Sequence, residues 1–427
     1  MSHQDQDLAQ LVGALTAGSR RWMWLDAVAG GWGGESVVGW LDHDDVSLTY
    51  DATARLVTRH AAGQSKVVGH DIFTVLSEQL AAGPGDARWF GYFGYAARPE
   101  MPARGDPRLP DAVWMRPRHV RRLSTRHGSP RTVQQPPMPR TQDGVHVLTE
   151  PSRYRDAFER VQRHLRAGDS YEVNLTFRHH SASALDPLTV YRRLRVLNPA
   201  PYAAFLQHDL PGTRAWLLSS SPERYARVTA GTIDTRPIKG TTPRGDSPEQ
   251  DDLLRARLAS ESRYRAENLM VLDLLRNDVG SVSLPGTVEV PSLMEVQTHP
   301  GVHQLVSAVR GRLRPGIGTV EALRALFPAG SMTGAPKLRT MEIIDAVETT
   351  PRGVYAGAFG YVAADGEADL GVVIRAMTTS GDGRWAIGTG GGITVHSDLD
   401  SELAETGWKV ARVLAALTEG AHGHRQL

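Results

Sequence analysis

The range 216–245 restricts the fold more than any other part of this 427-residue sequence. Apolar residues alternate over 216–228, the dipeptide Ala230-Gly231 follows, and a second run covers 234–245. Two such runs joined by a glycine-containing turn predict a β-hairpin. The second run carries Lys239, which would therefore lie on a rigid strand rather than at the tip of a loop.

Lys239 lies between Ile238 and Gly240, which leave little side-chain bulk beside its amine. Partial desolvation would lower the pKa of the amine toward the range in which it is a nucleophile. A solvated lysine on a strand edge is the ordinary alternative, because lysines are rarely buried. The residues alone leave both interpretations open.

Composition excludes several classes of function. The 48 basic and 47 acidic residues give a net charge of +1, so charge offers no argument for nucleic acid or a membrane as partner. The sequence has no cysteine, which excludes disulfides, thiolate metal sites and a cysteine nucleophile. Residues 1–7 are polar and acidic, and no apolar run approaches the ~20 residues of a membrane span, so we expect a cytoplasmic protein.

Local patterns predict the order of elements. Inner strands are expected at 22–26 and at 90–95, where glycines alternate with aromatic residues as in core packing. Prolines and arginines dominate from 99 to about 140 and indicate a connection without regular structure. Helices are predicted over 152–166, from Ser247-Pro248 onward, over 267–277, 301–309 with His303, 337–347 and 399–417.

Three charged residues lie in apolar runs and therefore need partners. Glu267 and Asp273 lie on the helix predicted over 267–277, whose apolar residues indicate burial, so their carboxylates require cations. Arg375 follows Val372-Val373-Ile374 within a strand predicted over 370–378, and its guanidinium requires a carboxylate.

Two glycine-rich segments offer backbone amides to an anion. In 329–337 the pair Ala335-Pro336 interrupts the succession of Gly, Lys and Ser or Thr that a phosphate loop requires, so a carboxylate is the better ligand. In 388–393 three consecutive glycines allow bare amides to approach a second carboxylate.

Three motifs agree in order and spacing with one enzyme family. They are Ser221-Pro222-Glu223-Arg224, Pro237-Ile238-Lys239-Gly240-Thr241, and the run from Glu267-Asn268-Leu269-Met270 to Asn277-Asp278. From about residue 150 to about residue 415 the sequence resembles the chorismate-utilising enzymes. The resemblance implies an α/β (α+β) fold of the anthranilate synthase component I type, with two facing antiparallel β-sheets and helices outside. It also implies an N-terminal region at 1–98, a Pro/Arg-rich connection at 99–150 and a chorismate-binding catalytic domain at 151–417.

The resemblance assigns roles residue by residue. It implies Lys239 as nucleophile, Glu223 as general acid, and His303 as the match to a functional histidine. The carboxylates that surround Mg²⁺ in the family match Glu267, Glu402 and Glu405. The residues expected to line the site or hold the substrate carboxylates are Gly240, Thr241, Lys337, Tyr355, Arg375, Gly390, Gly391 and Lys409.

Residue 239 separates branches of the family. Anthranilate synthases carry alanine there, so Lys239 implies attack of the lysine on C2 of chorismate, addition of ammonia at C4 and release of 4-amino-4-deoxychorismate. An anthranilate or 2-amino-2-deoxyisochorismate synthase is the alternative among enzymes, and a non-catalytic regulator that binds chorismate or tryptophan is the alternative outside them. Glu172 stands where the family usually has glutamine and isochorismate synthases have a water-activating lysine. It argues against water as nucleophile, and its own role stays open.

The absence of cysteine bears on the nitrogen source. Amidotransferases usually release ammonia from glutamine with a cysteine thiolate. The resemblance fills the C-terminal part of the chain and only about a dozen residues follow it, so we expect ammonia to come from a separate glutamine amidotransferase subunit. Family members can also hold tryptophan in an N-terminal pocket beside the segment matching 198–205. The product would lead to 4-aminobenzoate, for folate or a derived metabolite, through a separate lyase.

Overall fold

In the computed structural model, which describes residues 3–124, 151–299 and 302–418, two large β-sheets are flanked by α-helices. The helices are α1 (His3–Gly18), α2 (Ile72–Ala82), α3 (Pro151–Arg166), α4 (Pro187–Leu197), α5 (Pro248–Ser260), α6 (Ser262–Val282), α7 (Thr319–Leu326), α8 (Lys337–Val347) and α9 (Leu399–Ala415). The strands are β1 (Arg21–Asp26), β2 (Glu35–Trp40), β3 (Ser47–Asp51), β4 (Leu56–Ala61), β5 (Gln64–Gly69), β6 (Arg88–Phe93), β7 (Ala112–Met115), β8 (His119–Ser124), β9 (Glu172–Ala182), β10 (Tyr202–His208), β11 (Ala215–Ser221), β12 (Arg224–Thr229), β13 (Thr232–Arg236), β14 (Ile238–Pro243), β15 (Glu289–Thr298), β16 (Val302–Arg312), β17 (Gly334–Ala335), β18 (Ala358–Ala363), β19 (Ala368–Val372), β20 (Ala376–Thr379) and β21 (Arg384–Ile393).

All strand pairs within the two sheets are antiparallel. Sheet A has the order β17-β9-β21-β20-β11-β10-β1-β2-β8. Sheet B has the order β14-β16-β13-β12-β19-β18-β6-β7-β3-β4-β5, with β15 paired to β16. The predicted fold class, an α+β fold with two antiparallel sheets and outer helices, is confirmed.

The core is layered because strands of both sheets bury both of their faces. Met23 and Leu25 on β1 pack between the sheets in one cluster with Tyr92 of β6. Trp22 and Trp24 alternate with them along β1 and pack on the opposite face with residues of α4 and α9. The predicted inner strand at 22–26 and the core role of the aromatics at 90–95 are thereby confirmed.

The predicted regions share both sheets. β1 of the N-terminal region pairs with β10, and β6 pairs with β18. Within the predicted irregular connection, β7 and β8 are regular strands, while 125–150 lies outside the described residues. The boundaries at 98 and 150 stay a prediction.

Two chain segments that were predicted as single strands cross from one sheet to the other. The run 216–228 is divided into β11 of sheet A and β12 of sheet B, and Glu223 lies at the crossing. The run 370–378 is divided into β19 of sheet B and β20 of sheet A, with Arg375 at the crossing in the left-handed conformation at φ +48°. The first break contains Ser219-Ser220-Ser221-Pro222, and the second follows the continuous apolar run Val372-Val373-Ile374. Neither predicted strand took account of these interruptions of the alternation.

The hairpin that precedes Lys239 is formed by β12 and β13. Its turn residues Ala230 and Gly231 have φ values of +48° and +71°, as in the two-residue turns that match strand twist. The predicted second strand, 234–245, is divided after Arg236, and Lys239 lies on β14, which pairs with β16 instead of β12. The strand location of Lys239 is confirmed, but its place in the hairpin is wrong.

The predicted helix over 301–309 is wrong. Residues 302–312 form β16, which pairs with β13 and β14 on one side and with β15 on the other. Both faces of this strand are buried, and the buried positions include the polar residues His303, Gln304 and Ser307. The sequence therefore lacks the alternation of a half-exposed strand. None of the helices in the described residues combines the length and apolar composition needed to cross a bilayer.

Candidate active site

The two crossings between the sheets bring Glu223 and Arg375 together. The amide of Val372 donates a hydrogen bond to the Glu223 carbonyl at 3.0 Å, and the amide of Ser220 donates to the Arg375 carbonyl at 3.2 Å. These bonds hold the crossings side by side. Both side chains line a cavity of about 160 Å³.

A β-bulge directs Lys239 into the same cavity. Between Ile238 and Thr241, β14 advances three residues while β16 advances two, so β14 carries one extra residue. Gly240 in the bulge has φ +92°, and a Cβ there would lie 3.1 Å from Leu258 and 3.2 Å from Tyr264. Glycine is therefore required beside the lysine, for both conformational and steric reasons.

Most of the predicted site residues line this cavity. From the sequence-based set, the lining includes Glu223, Lys239, Gly240, Thr241, Glu267, Tyr355, Arg375, Gly390, Glu402, Glu405 and Lys409. Gly391 is adjacent, since a Cβ on it would lie 3.1 Å from a Glu402 carboxylate oxygen and 3.9 Å from the Lys409 Nζ.

Glu223 is a buried carboxyl whose pKa lies near neutrality. It is 5% exposed, and its Oε1 accepts a hydrogen bond from the Ser331 hydroxyl at 2.6 Å. Burial raises its pKa to about 7, although Ser331 and Lys239 act in the opposite direction. A carboxyl with this pKa can donate a proton near neutral pH.

Lys239 has a protonated amine, contrary to the expectation that desolvation would free it. Its Nζ donates a hydrogen bond to Oε1 of Glu172, which is 2% exposed. Burial lowers the pKa of the lysine, but the charge and hydrogen bond of Glu172 outweigh burial, and the pKa is raised overall. The expected lowering of the Lys239 pKa is therefore wrong for the substrate-free site.

Three carboxylates on α6 and α9 surround one guanidinium. Arg263 donates to Glu267 at 3.1 Å and to Glu402 at 2.8 Å. Burial raises the pKa of Glu267, and burial together with repulsion from Glu405 raises the pKa of Glu402. Burial opposes ionisation of Glu405 as well, but Lys409 at 2.7 Å outweighs it and lowers the pKa of Glu405.

The three carboxylates are the ligand type that a hard cation prefers, but they are not close enough together in this structure to hold one. All three donors are carboxylates, the ligand type that Mg²⁺ prefers. Within the described residues, no three side chains of His, Cys, Asp or Glu lie close enough to one another to hold a metal ion. Arg263 takes the position of positive charge between Glu267 and Glu402.

The cavity also contains cations that are suited to carboxylate recognition. Arg375 has no ion pair within the described residues, and burial followed by repulsion from Arg412 lowers its pKa. The Lys409 Nζ donates to the Gly390 carbonyl at 3.0 Å. Burial raises the pKa of Tyr355 to about 12, so its phenol stays a hydrogen-bond donor. The carboxylate that the sequence predicted for Arg375 would have to come from a ligand.

Besides Gly391, which is only adjacent, two predicted site residues do not line the cavity. His303 is fully buried on β16, and its ring nitrogens contact Thr298 at 2.9 Å and Asp251 at 3.0 Å. Its neighbour Gln304 lines the cavity instead, because successive side chains on a strand point to opposite faces. Lys337 donates to Asp278 at 2.6 Å and to the Leu326 carbonyl at 2.7 Å. The structure therefore places neither His303 nor Lys337 at the cavity.

Several lining residues were not identified from the sequence. Arg263 lies one helical turn before Glu267, a spacing that predicts an ion pair, so this residue had a readable signal. Ser331 and Met332 lie in the glycine-rich segment 329–337 that was expected to bind an anion. Other lining residues that were not singled out include Asn174, Tyr264 and Gln304.

A tryptophan of the protein itself packs beside the segment 198–205, and a pocket there for free tryptophan stays a prediction. The indole of Trp32 lies with its ring centre 4.8 Å from that of Tyr202 and 5.9 Å from that of Phe359. Its Nε1 donates to the Ala203 carbonyl at 2.9 Å. Trp32 thus fills the region beside 202–205 between the sheets.

Comparisons with known proteins agree with this geometry. A family model described as chorismate binding enzyme matches residues 49–415. The chain is 49% identical over 280 residues to an aminodeoxychorismate synthase of Streptomyces pristinaespiralis, covering 65% of this chain and 38% of that protein. It is 44% identical over 264 residues to aminodeoxychorismate synthase component 1 of Klebsiella aerogenes, covering 62% of this chain and 57% of that protein.

A solved structure extends the similarity to nearly the whole chain. The crystal structure of anthranilate synthase component I from Streptococcus pneumoniae TIGR4 aligns with a TM-score of 0.71 and 26% identity, over 89% of this chain and 92% of that chain. The curated relatives are matched over 38% and 57% of their own lengths.

Proposed function

This chain belongs to the chorismate binding enzyme family, and from that premise we propose that it aminates chorismate at C4. The reaction converts chorismate and ammonia to 4-amino-4-deoxychorismate and water. The enolpyruvyl group is retained, so release of 4-aminobenzoate would require a separate lyase. The names of the two curated relatives support this branch of the family.

The observation that carries the proposal is the presence in one cavity of Lys239 and of Glu223, whose burial raises its pKa to about 7. A lysine nucleophile suits attack on C2, and an acid suits departure of the C4 hydroxyl. Hydroxide is a poor leaving group, so a carboxyl that is still protonated near neutral pH lowers the barrier to its departure.

The bond changes balance in two steps. The Lys239 nitrogen bonds to C2, the ring double bonds shift, and the C4 oxygen leaves as water with the proton of Glu223. Ammonia then bonds to C4, the double bonds shift back, and the C2–nitrogen bond breaks. The lysine is recovered, and the Glu223 carboxylate takes a proton from the new amine.

We propose that the cationic residues of the cavity bind the substrate. We assign one carboxylate of chorismate to Arg375 and Tyr355, with the amides near Gly390 and Gly391. Magnesium dependence is general in this family; Glu267, Glu402 and Glu405 would hold Mg²⁺, which when bound supplies charge neutralisation to the ring carboxylate. The Arg263 guanidinium would then have to release at least one of these carboxylates.

We assign the supply of ammonia to a partner protein. The sequence contains no cysteine, so the usual thiolate route from glutamine is closed to this chain. A glutamine amidotransferase subunit that docks on the chain would deliver ammonia to the cavity.

Product identification tests the proposal. The purified chain is incubated with chorismate, Mg²⁺ and an ammonium salt, and products are separated and identified by mass spectrometry. We expect 4-amino-4-deoxychorismate from the wild type and none from Lys239→Ala.

Other outcomes would contradict the proposal, each in a different way. Anthranilate or 2-amino-2-deoxyisochorismate would indicate amination at C2. Binding of chorismate in calorimetry without any turnover would indicate a regulator. Full activity of Lys239→Ala would remove the lysine from the mechanism.

A further inference from the structure

Glu172 and Lys239 form a buried ion pair, and the steps above do not say which group takes the lysine proton. The Glu172 side chain is 3% exposed and that of Lys239 is 11% exposed. Within the described residues, Lys239 is the hydrogen-bond donor that reaches the Glu172 carboxylate. An ammonium has three donors and no lone pair, so Lys239 cannot attack carbon until it loses a proton.

The neighbouring strand fixes the position of the pair. Gly392 on β21 pairs with Asn174 on β9, two residues from Glu172. A Cβ on Gly392 would overlap Oε1 of Glu172 and lie 3.0 Å from the Lys239 Nζ. The bare backbone of Gly392 therefore leaves the space in which the carboxylate meets the amine.

The other carboxylates that face Lys239 are committed elsewhere. Besides Glu172 on β9, the charges of Glu223 at the sheet crossing, Glu267 on α6 and Glu405 on α9 act on this amine. Glu223 must keep its proton for the leaving hydroxyl. Glu267 is bound by Arg263 and Glu405 by Lys409.

We propose that Glu172 is the base that takes the proton from Lys239 as the lysine attacks, and that returns it when the lysine leaves. The Nζ–H bond breaks, its electron pair forms the bond from Nζ to C2, and the proton moves to Oε1 of Glu172. After ammonia has displaced the lysine, the same proton returns to the free amine. This assignment rests on the proposed function. The glutamine that the family usually has at this position could not accept the proton.

The amine reactivity of Lys239 tests the ion pair without any turnover. Reductive methylation by formaldehyde and cyanoborohydride, measured on the peptide containing Lys239, reports the fraction of free amine near pH 7. Removing the negative charge lowers the lysine pKa, so Glu172→Gln should react at least about tenfold faster than the wild type. Gly392→Ala, which displaces the carboxylate, should change the rate in the same direction. Asp273→Asn, 73% exposed on α6, serves as control.

The pH dependence of the covalent step tests the base. Chorismate and Mg²⁺ are mixed with enzyme in the absence of ammonia, and the mass adduct on Lys239 is quantified over time. The rate of adduct formation by Glu172→Gln is divided by the wild-type rate at each pH, so that the dependence on Glu223, which both proteins share, cancels. The variant has no internal base, so its rate is proportional to the fraction of Lys239 that is already a free amine. The ratio should therefore rise about tenfold per pH unit at the acid end and level off at high pH.

The outcomes separate this proposal from the proposed function. Absence of any adduct in the wild type would reject the lysine mechanism and with it the base. Adduct formation by both proteins with the same pH dependence would reject the base alone. Unchanged amine reactivity in Glu172→Gln would show that the pair does not exist in solution.

Discussion

Replacing Glu223 by glutamine should stabilise the folded protein above neutral pH while abolishing turnover. The side chain is 5% exposed, and burial raises its pKa from the ordinary 4.5 to about 7. Glutamine can keep the hydrogen bond from Ser331, because its amide oxygen also accepts. The variant therefore removes the titrating group and retains the packing.

The magnitude follows from the two pKa values. They differ by about 2.5, and each pKa unit corresponds to ~1.4 kcal/mol, so ionising the buried carboxyl costs roughly 3 kcal/mol. Below pH 4.5 the group is protonated in both states and has no effect on the free energy of unfolding. As pH rises from there to about 7, only the unfolded chain ionises, so wild-type stability falls. Above about pH 7 the loss is complete.

Urea unfolding followed by tryptophan fluorescence measures the effect. Glu223→Gln should be more stable than the wild type, and its excess free energy of unfolding should be roughly 2.5 kcal/mol larger at about pH 8 than at about pH 5. Glu78→Gln, exposed on α2, is the matched control and should show no such change. A variant that follows the wild type at both pH values would refute a neutral, buried Glu223.

Three further predictions concern the metal, the indole and the nitrogen source. Mg²⁺ affinity measured by calorimetry should rise in Arg263→Gln, which removes a competing cation, and fall in Glu267→Gln; equal affinities would contradict the carboxylate site. Trp32→Ala should lower the free energy of unfolding by about 3–5 kcal/mol in urea titrations, and calorimetry should detect no binding of free tryptophan to the wild type. The isolated chain should use ammonium salts but not glutamine, and glutamine-driven turnover by the chain alone would contradict this. Its pH profile should be bell-shaped, because the concentration of free ammonia increases with pH while the protonated fraction of Glu223 decreases above about 7.

Sequence motifs identified the residues whose environment is local. The apolar alternation and the turn at Ala230-Gly231 specify the hairpin of β12 and β13, but not the separate strand β14 that carries Lys239. Glu267 was expected to need a cation because its helix is apolar, and Arg263 supplies one. Asp273 was expected to be buried on the same helix, but its side chain is 73% exposed. The two correct inferences, on the hairpin and on Glu267, depend on neighbours within one or two turns of the chain.

The misplaced residues depend on distant parts of the chain. His303 was read on a helix, but pairing of β16 with three other strands overrides that reading and turns the imidazole away from the cavity. Lys337 follows glycines that suggested an anion site, yet Asp278 of α6 takes its charge. The raised pKa of Lys239 depends on Glu172, which lies 67 residues earlier. Contacts of this kind follow from sheet topology and cannot be read from local pattern.

The proposed acid and the proposed carboxylate-binding arginine both lie where the chain passes from one sheet to the other. Glu223 links β11 to β12, Arg375 links β19 to β20, and backbone hydrogen bonds couple the two links. Any sliding of sheet A against sheet B must therefore displace Glu223 and Arg375 together. The alignment of the two proposed groups thus depends on the registration of one sheet against the other.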